Sequence, residues 1–229
     1  MTARYAIYYA PDPASAFWQR ANAWLGRDAA TGTDVAQPDV ADIAASDFAQ
    51  LTADPRHYGF HATLKAPFAL ADGVNEAGLI AALADFAAQR RPFDTVLSPQ
   101  ALGRFLAFRP LVPCPHIQSL HEDAVRAFEP FRAPLAQRDL ERRRASGLTP
   151  EQDALMVLWG YPYVFEYFRF HMTLTNAIAD DALRQSLLEA ATGHFAADIG
   201  LHRFASLSLF RQSDRDRPFD LIARAAFAA

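Results

Sequence analysis

The sequence predicts an α+β fold of two pseudo-symmetric lobes, each an antiparallel sheet with helices on its outer face. The pattern Phe-His-x-Thr-Leu occurs twice, at residues 60–64 and 170–174. Each copy lies in a strand-like segment that is followed by a helical pattern and then by a hairpin pattern. The 229 residues, 51% of them hydrophobic, are enough to bury a full core. A duplicated unit of this kind predicts one bilobal domain over residues 1–229, with a cleft between the sheets.

The first repeat is expected over about residues 56–112. Residues 59–67 have the composition of a strand. Residues 75–90 carry apolar side chains at helical spacing, which predicts an amphipathic helix. Residues 93–111 then read as a hairpin that turns around residues 99–103.

The second repeat is expected over about residues 163–227. A strand is predicted over residues 163–176, followed by a helix over residues 180–192 with an aspartate as its N-cap. The final hairpin is predicted from residues 201–212 and 218–227. The same order of elements in both halves is what indicates two related lobes.

The rest of the chain supplies further elements. Three are predicted before the first repeat: a strand at residues 4–10, a helix at 14–25 and a loop at 28–40. Two helices are predicted between the repeats, at residues 117–131 and 150–158. The sequence assigns no role to the segment 113–160, and we interpret its charge run at 138–146 as a connector rather than a binding patch.

Composition narrows the class of function. The net charge of −4 disfavours avid, sequence-independent binding to nucleic acid. Cys114 is the single cysteine, which excludes an intramolecular disulfide and a thiolate metal cluster. The sequence shows no signal-peptide pattern and no apolar run long enough to span a membrane, so a cytoplasmic location without membrane contact is expected.

Strand alternation groups the polar residues of the two repeats. In the second strand Arg169, His171 and Thr173 occupy alternate positions and share one face, opposite an apolar face. The first strand repeats this arrangement. Its polar face carries His61, Thr63 and Lys65. If the lobes are related by a two-fold axis, these two rows face each other across the cleft.

This set of side chains suits the cleavage of a phosphodiester. Imidazole can take or give a proton near neutral pH, so His61 and His171 are the candidate acid and base. Hydroxyl and cationic groups can hold the charge that builds on the phosphoryl oxygens, which assigns substrate binding to Thr63 and Thr173. Lys65 and Arg169 are added to that role from strand alternation alone.

The two H-x-T-L segments resemble the paired signature of the 2H phosphoesterase superfamily, which includes the LigT-like RNA 2′,3′-cyclic phosphodiesterases. The flanking segments 58–67 and 168–175 resemble still more closely a branch of it that is labelled for phosphonate metabolism. The resemblance implies that His61 and His171 are catalytic and that Thr63 and Thr173 bind phosphate. It covers most of the chain through the repeated order of elements.

The resemblance implies a metal-independent opening of a cyclic phosphodiester by water, without a cofactor. A small ribose cyclic phosphate, such as a 5-phosphoribosyl cyclic phosphate, is the expected substrate. An RNA-end or nucleoside 2′,3′-cyclic phosphate is the alternative, although the long segment between the repeats departs from the RNA-processing members. A non-catalytic module that binds a phosphorylated metabolite or an RNA end is the alternative of another class. The spacing of His57 and His61 is not interpreted as a zinc site, because no carboxylate lies in phase with them.

Overall fold

The computed structural model describes residues 3–228, so residues 1, 2 and 229 of the predicted 1–229 domain lie outside the described residues. The described chain contains eight strands and eight α-helices. The strands are β1 (Arg4–Tyr9), β2 (Ala62–Phe68), β3 (Phe93–Leu102), β4 (Phe105–Pro110), β5 (Met172–Thr173), β6 (Gly200–Phe204), β7 (Ser206–Gln212) and β8 (Phe219–Ala226). The helices are α1 (Ala16–Leu25), α2 (Ala45–Leu51), α3 (Ala53–Tyr58), α4 (Glu76–Ala88), α5 (Pro115–Ala127), α6 (Gln137–Arg144), α7 (Pro150–Trp159) and α8 (Asp181–His194).

The strands of the described chain form one antiparallel sheet in the order β6-β3-β4-β5-β2-β1-β7-β8. The predicted antiparallel α+β architecture is confirmed. The two predicted sheets correspond to the two four-stranded halves of this sheet. They meet in the middle, where β5 pairs with β2 through Met172 and Ala62. The two halves are therefore joined edge to edge at the centre of the molecule.

The sequence repeats and the halves of the sheet do not coincide. Strand β2 of the first repeat lies in the same half as β7 and β8, which belong to the second repeat. Strand β5 of the second repeat lies with β3 and β4 of the first. The repeats have exchanged hairpins, so each half of the sheet needs both repeats in order to form.

One face of the sheet is covered by helices and carries the core. Helix α4 packs on β7 and β8, and helix α8 packs on β3 and β4. Leu79 and Leu83 of α4 share one hydrophobic cluster with Leu187 of α8 and with Ala62 and Met172 at the joint. Because side chains alternate along a strand, the neighbours of Ala62 and Met172 project from the opposite face.

Local sequence signals account for the predicted helix starts. The Ser15 side chain accepts a hydrogen bond from the Trp18 N–H at 3.1 Å and caps α1. The Asp180 side chain caps α8, as predicted, by accepting from the N–H groups of Ala182 and Leu183. Such caps satisfy backbone donors that have no partner within the helix.

The predicted strand over residues 163–176 is wrong for most of its length. Only Met172 and Thr173 are in a strand, and a 3₁₀ turn occupies Phe165–Tyr167. Phe165 has a left-handed φ of 53°, which an extended strand cannot accommodate. Its N–H donates to His121 Nε2 at 3.1 Å rather than to a neighbouring strand.

The segment between the repeats folds into α5, α6 and α7. The charge run that the sequence indicated as a connector forms most of α6. A capping box of Thr149 and Gln152 starts α7. Within residues 3–228, every helix is too short or too polar to span a lipid bilayer.

Candidate active site

The two H-x-T segments lie side by side at the joint between β2 and β5. These strands are antiparallel, with Ala62 opposite Met172. The same register sets His61 opposite Thr173 and Thr63 opposite His171. Side chains directly opposite each other across such a pair have Cβ atoms about 5 Å apart. The two imidazoles and two hydroxyls therefore form one compact group on the face opposite Ala62 and Met172.

Both imidazoles are oriented by the same backbone contact. His61 Nδ1 lies 2.9 Å from the carbonyl oxygen of Gly59, and His171 Nδ1 lies 2.6 Å from that of Arg169. A carbonyl oxygen only accepts, so each Nδ1 carries the hydrogen. In the neutral rings Nε2 is consequently the unprotonated nitrogen. The Thr63 hydroxyl is 3.3 Å from His61 Nε2, so this nitrogen points into the group.

The site as it stands favours neutral imidazoles. Burial lowers the pKa of His61 to about 3, and the neighbouring His171 adds to this effect. Burial also lowers the pKa of His171, and the nearby charge of Arg109 acts in the same direction. In both cases the hydrogen bond to the backbone carbonyl opposes the shift. An anion in the site would oppose it further, because a negative charge favours the protonated ring.

Tyr8 of β1 packs against the face of the His61 ring. Its ring stacks on His61, with centroids 3.6 Å apart and planes 12° from parallel. Tyr8 sits directly opposite Thr63 in the β1–β2 pair. Burial raises the pKa of Tyr8, so its hydroxyl keeps its proton. The sequence predicted β1 but gave Tyr8 no role, because nothing in the sequence shows which strand neighbours β2.

Arg109 is a cation of the site that sequence reasoning missed. Strand β4 pairs with β5 through Phe108 and Met172, and continuing this register by one residue puts Arg109 opposite His171. The buried Arg109 Nε finds no hydrogen-bond partner among residues 3–228. The sequence could have shown that Arg109 shares one face of a strand with Phe105 and Ala107. It could not have shown that this strand, β4, pairs with β5.

Lys65 does not join the group. The register of β2 against β1 shifts between Thr63, which pairs with Tyr8, and Lys65, which pairs with Ile7. Lys65 therefore projects from the face of Ile7, whereas Thr63 projects from the face of Tyr8. The Lys65 ammonium is buried and donates to the Val125 carbonyl at 2.9 Å and to Glu129 Oε2 at 2.7 Å. The bulge interrupts the strict alternation that predicted a place for Lys65 beside Thr63. Its charge is used to anchor α5 and the turn that follows it.

Arg169 lies next to the group with its side chain turned back on its own loop. The guanidinium is exposed and donates to the carbonyls of Glu166 and Phe168 at 2.9 and 2.8 Å. It lines a cavity of about 640 Å³ together with Arg109. The contact of Arg169 with the site is its backbone carbonyl, which orients His171.

Metal-ligand geometry is not found in the described part of the chain. No three side chains of the His, Cys, Asp and Glu types converge among residues 3–228. The His57 ring meets the Gln212 side chain at 3.1 Å. Metal independence stays a prediction that a chelator experiment can test.

The structure thus brings the two H-x-T segments of the sequence side by side in one antiparallel sheet. The chain belongs to the family described as "Protein of unknown function (DUF1045)", which it matches over residues 63–220.

Curated relatives are longer than this chain. Two are named "Ribose 1,5-bisphosphate phosphokinase PhnN". The protein from Janthinobacterium sp. (strain Marseille) is 40% identical over 221 residues, which cover 94% of this chain and 49% of that protein. The protein from Laribacter hongkongensis (strain HLHK9) is 40% identical over 219 residues, covering 95% and 50%. The chain therefore spans about half the length of the curated relatives it matches.

Solved structures with a similar course of the chain include E. coli LigT complexed with 3'-AMP, with a TM-score of 0.42, 12% identity and full coverage of both chains. A structure described as a phosphoesterase has a TM-score of 0.40 and 13% identity, over 99% of each chain.

Proposed function

We propose that this protein is a metal-independent phosphoesterase that opens a cyclic phosphodiester. One of the two histidines, His61 and His171, acts as general base and the other acts as general acid. The observation that carries the proposal is the antiparallel register of β2 and β5, which brings both H-x-T segments into one group. The matching Nδ1 contacts support it, because they leave both Nε2 atoms for proton transfer. Two lone histidines on unrelated surfaces would not share this geometry.

The reaction needs one proton taken and one proton given. One imidazole Nε2 accepts a proton from water, whose oxygen attacks phosphorus and forms a new P–O bond. The other imidazole, protonated at Nε2, donates to the sugar oxygen as the P–O bond to that oxygen breaks. The products are a phosphate monoester and a free hydroxyl, so atoms and charge balance.

The remaining side chains suit the charge on the phosphoryl oxygens. Thr63 and Thr173 each lie opposite a histidine and can donate a hydroxyl hydrogen to these oxygens. Arg109 faces His171 with a donor that has no protein partner in residues 3–228, and can provide a charge-assisted hydrogen bond. Tyr8 keeps the His61 ring in place by stacking.

The name of the curated relatives supports a particular substrate. They are named for a phosphokinase of ribose 1,5-bisphosphate. Opening a 5-phosphoribosyl 1,2-cyclic phosphate by breaking its P–O2 bond yields ribose 1,5-bisphosphate. The phosphate-binding pattern G-x-x-x-x-G-K-[ST] does not occur in this chain, whose single lysine follows Leu64. We therefore propose that the region shared with these relatives produces ribose 1,5-bisphosphate and leaves its phosphorylation to the rest of the longer protein.

The test is turnover followed by phosphorus NMR. Purified protein is incubated with 5-phosphoribosyl 1,2-cyclic phosphate, or with a nucleoside 2′,3′-cyclic phosphate, in ¹⁸O-labelled water and with EDTA throughout. We expect the cyclic phosphate signal of the ribosyl substrate to be replaced by a monoester that carries one ¹⁸O. Preference for the nucleoside compound would redirect the proposal to RNA ends, and binding without turnover of either would contradict an enzyme. Activity that requires added metal would contradict the two-histidine mechanism.

A further inference from the structure

A second cavity, of about 680 Å³, lies beyond the N-terminal end of β1. It is bounded by β1, the chain that follows β2, helix α6 and the turn between β7 and β8. Among its lining residues are six arginines, in a protein whose net charge is −4. They are Arg4, Arg132, Arg138, Arg142, Arg143 and Arg215. The lining of this cavity is therefore positively charged, although the protein as a whole carries a net negative charge.

Three aspartates, Asp139, Asp214 and Asp216, also line the cavity and reduce the formal charge of its lining to +3. Asp139 accepts two hydrogen bonds from Arg215 and also pairs with Arg142 at 3.2 Å. Arg132 pairs with Glu129 at 2.6 Å. The other three cations, among the described residues, have no carboxylate within ion-pair distance. They are Arg4, Arg138 and Arg143.

Arg143 is the most informative of the three. Its guanidinium lies 4.8 Å above the ring of Tyr161, and burial lowers its pKa. The buried Nε has no hydrogen-bond partner among residues 3–228. A buried donor without a partner is costly, and charged donors of this kind are rare unless a ligand completes them. An anion in the cavity would accept a hydrogen bond from this Nε and would also neutralise the charge of the Arg143 guanidinium.

The cavity and the catalytic group lie on the same face of β1. Arg4 and Tyr8 project from the same face of β1, and four residues of strand correspond to about 13 Å between their Cα atoms. Tyr8 stacks on His61, and the Arg143 guanidinium covers the ring of Tyr161. Arg4, which donates to Gln212 Oε1 at 2.9 Å and has no carboxylate partner, thus lies on the same side of the sheet as the reacting centre.

We propose that this arginine cavity is the subsite for a second phosphoryl group of the substrate, a phosphate monoester carried on the sugar away from the cyclic phosphate. Arg143 and Arg4 contact this group, with Tyr161 packed against the Arg143 guanidinium. The inference rests on the proposed function, because it names the part of the substrate that the catalytic histidines do not touch. It also explains why α6, in the segment between the repeats, is rich in arginine.

The kinetic test compares two substrates in one variant. Arg143→Met keeps an unbranched side chain over Tyr161 and removes the charge. We expect kcat/KM for 5-phosphoribosyl 1,2-cyclic phosphate to fall about 10- to 100-fold, the usual effect of losing a charged hydrogen bond. For ribose 1,2-cyclic phosphate, which lacks the second phosphate, kcat/KM should stay within about twofold. Arg143→Lys should recover part of the loss.

Arg144→Met is the matched control, because Arg144 is the next residue of α6 and pairs with Asp153 of α7 outside the cavity. It should leave both substrates unaffected. An equal fall for both substrates in Arg143→Met, or no fall for either, overturns the subsite while the proposed phosphoesterase stands.

A binding measurement separates the two proposals if no substrate is turned over. Ribose 5-phosphate and ribose are titrated into the wild type and into Arg143→Met by calorimetry. We expect the wild type to bind ribose 5-phosphate, Arg143→Met to bind it about 10- to 100-fold more weakly, and ribose not to bind. This result without turnover would support the subsite and contradict the enzyme. Equal binding of ribose 5-phosphate by both proteins overturns the subsite regardless of activity.

Discussion

The two imidazoles are the residues on which the proposed chemistry depends most directly. We expect His61→Ala and His171→Ala each to lower kcat by about 100- to 10,000-fold, the usual contribution of a positioned acid or base. Binding of a non-hydrolysable analogue should persist, because Thr63 and Thr173 remain. His116→Ala, at an exposed position on the first turn of α5, is the control and should keep full activity. Turnover close to that of the wild type in either site variant would contradict the two-histidine mechanism.

Arg109 gives a second prediction for a single residue. Arg109→Met should lower kcat/KM about 10- to 100-fold by removing a charged donor to the phosphate. The charge of Arg109 helps to lower the pKa of His171, so removing it should move a limb of the pH profile to higher pH. Arg104→Met, an exposed position in the same hairpin, is the matched control. A loss of stability with no change of this limb would show a purely structural role.

The pH dependence follows from the lowered pKa values of His61, to about 3, and of His171. Catalysis needs one imidazole protonated, and in the free enzyme that proton is lost as pH rises through a lowered pKa. We therefore expect kcat/KM to peak below about pH 6.5, the ordinary imidazole pKa. Bound phosphate favours protonated rings, so kcat should peak at a higher pH than kcat/KM.

Both profiles are measured from about pH 4 to 9, which covers the imidazole range on either side. The apparent pKa values of the two limbs describe the coupled titration of both histidines, and neither value is assigned to a single histidine. A steady rise of both parameters with pH would instead indicate water that ionises on a metal.

At the scale of the secondary-structure element, the bulge in β2 turns Lys65 away from the face that carries His61 and Thr63. Lys65→Met breaks the contact that ties β2 to Glu129 and to the last turn of α5. We expect the free energy of unfolding to fall by about 1–3 kcal/mol, less than for an isolated buried pair because Glu129 keeps Arg132.

Turnover per folded molecule should change little in Lys65→Met, since the side chain lies away from Thr63 and His171. Urea unfolding and kcat of the same preparation check both parts. Unchanged stability with a large loss of kcat would instead put Lys65 in contact with the substrate.

For the whole molecule, the buried imidazoles predict destabilisation in acid. Burial lowers the pKa of His61 to about 3 and of His121 to about 4, while unfolded imidazole titrates near pH 6.5. The stabilisation is present in full above about pH 6.5 and is lost as pH falls, because the unfolded state then binds more protons. Each such histidine contributes at most about 1.4 kcal/mol per pH unit below 6.5.

Urea unfolding at several pH values between 7.5 and 5 measures this dependence. His61→Gln should reduce the slope by close to one proton. A free energy of unfolding that does not vary over this range would show that the imidazoles take up no protons on unfolding.

Much of the fold could be predicted from local patterns. Strand-prone composition identified β1, period-2 alternation identified the polar face of β2, and apolar spacing identified α4. The aspartate cap was predicted for α8. The aromatic run before β5 misled the strand prediction, because the backbone of Phe165 is held by His121 of α5, far away in sequence. Alternation describes a chain that stays extended, and this contact bends it.

The sequence by itself determined the antiparallel α+β class, the duplication, and the sharing of one face by each histidine with its threonine. The tertiary structure decided which strands are neighbours: the exchange of hairpins, the meeting of β2 with β5, and thereby the places of Tyr8 and Arg109. It also decided that Lys65 leaves the row at a bulge and that arginines of α6 meet Arg4 around a cavity. The physical reason is that side-chain alternation depends on adjacent peptide units, whereas strand order and register depend on packing between residues distant in sequence.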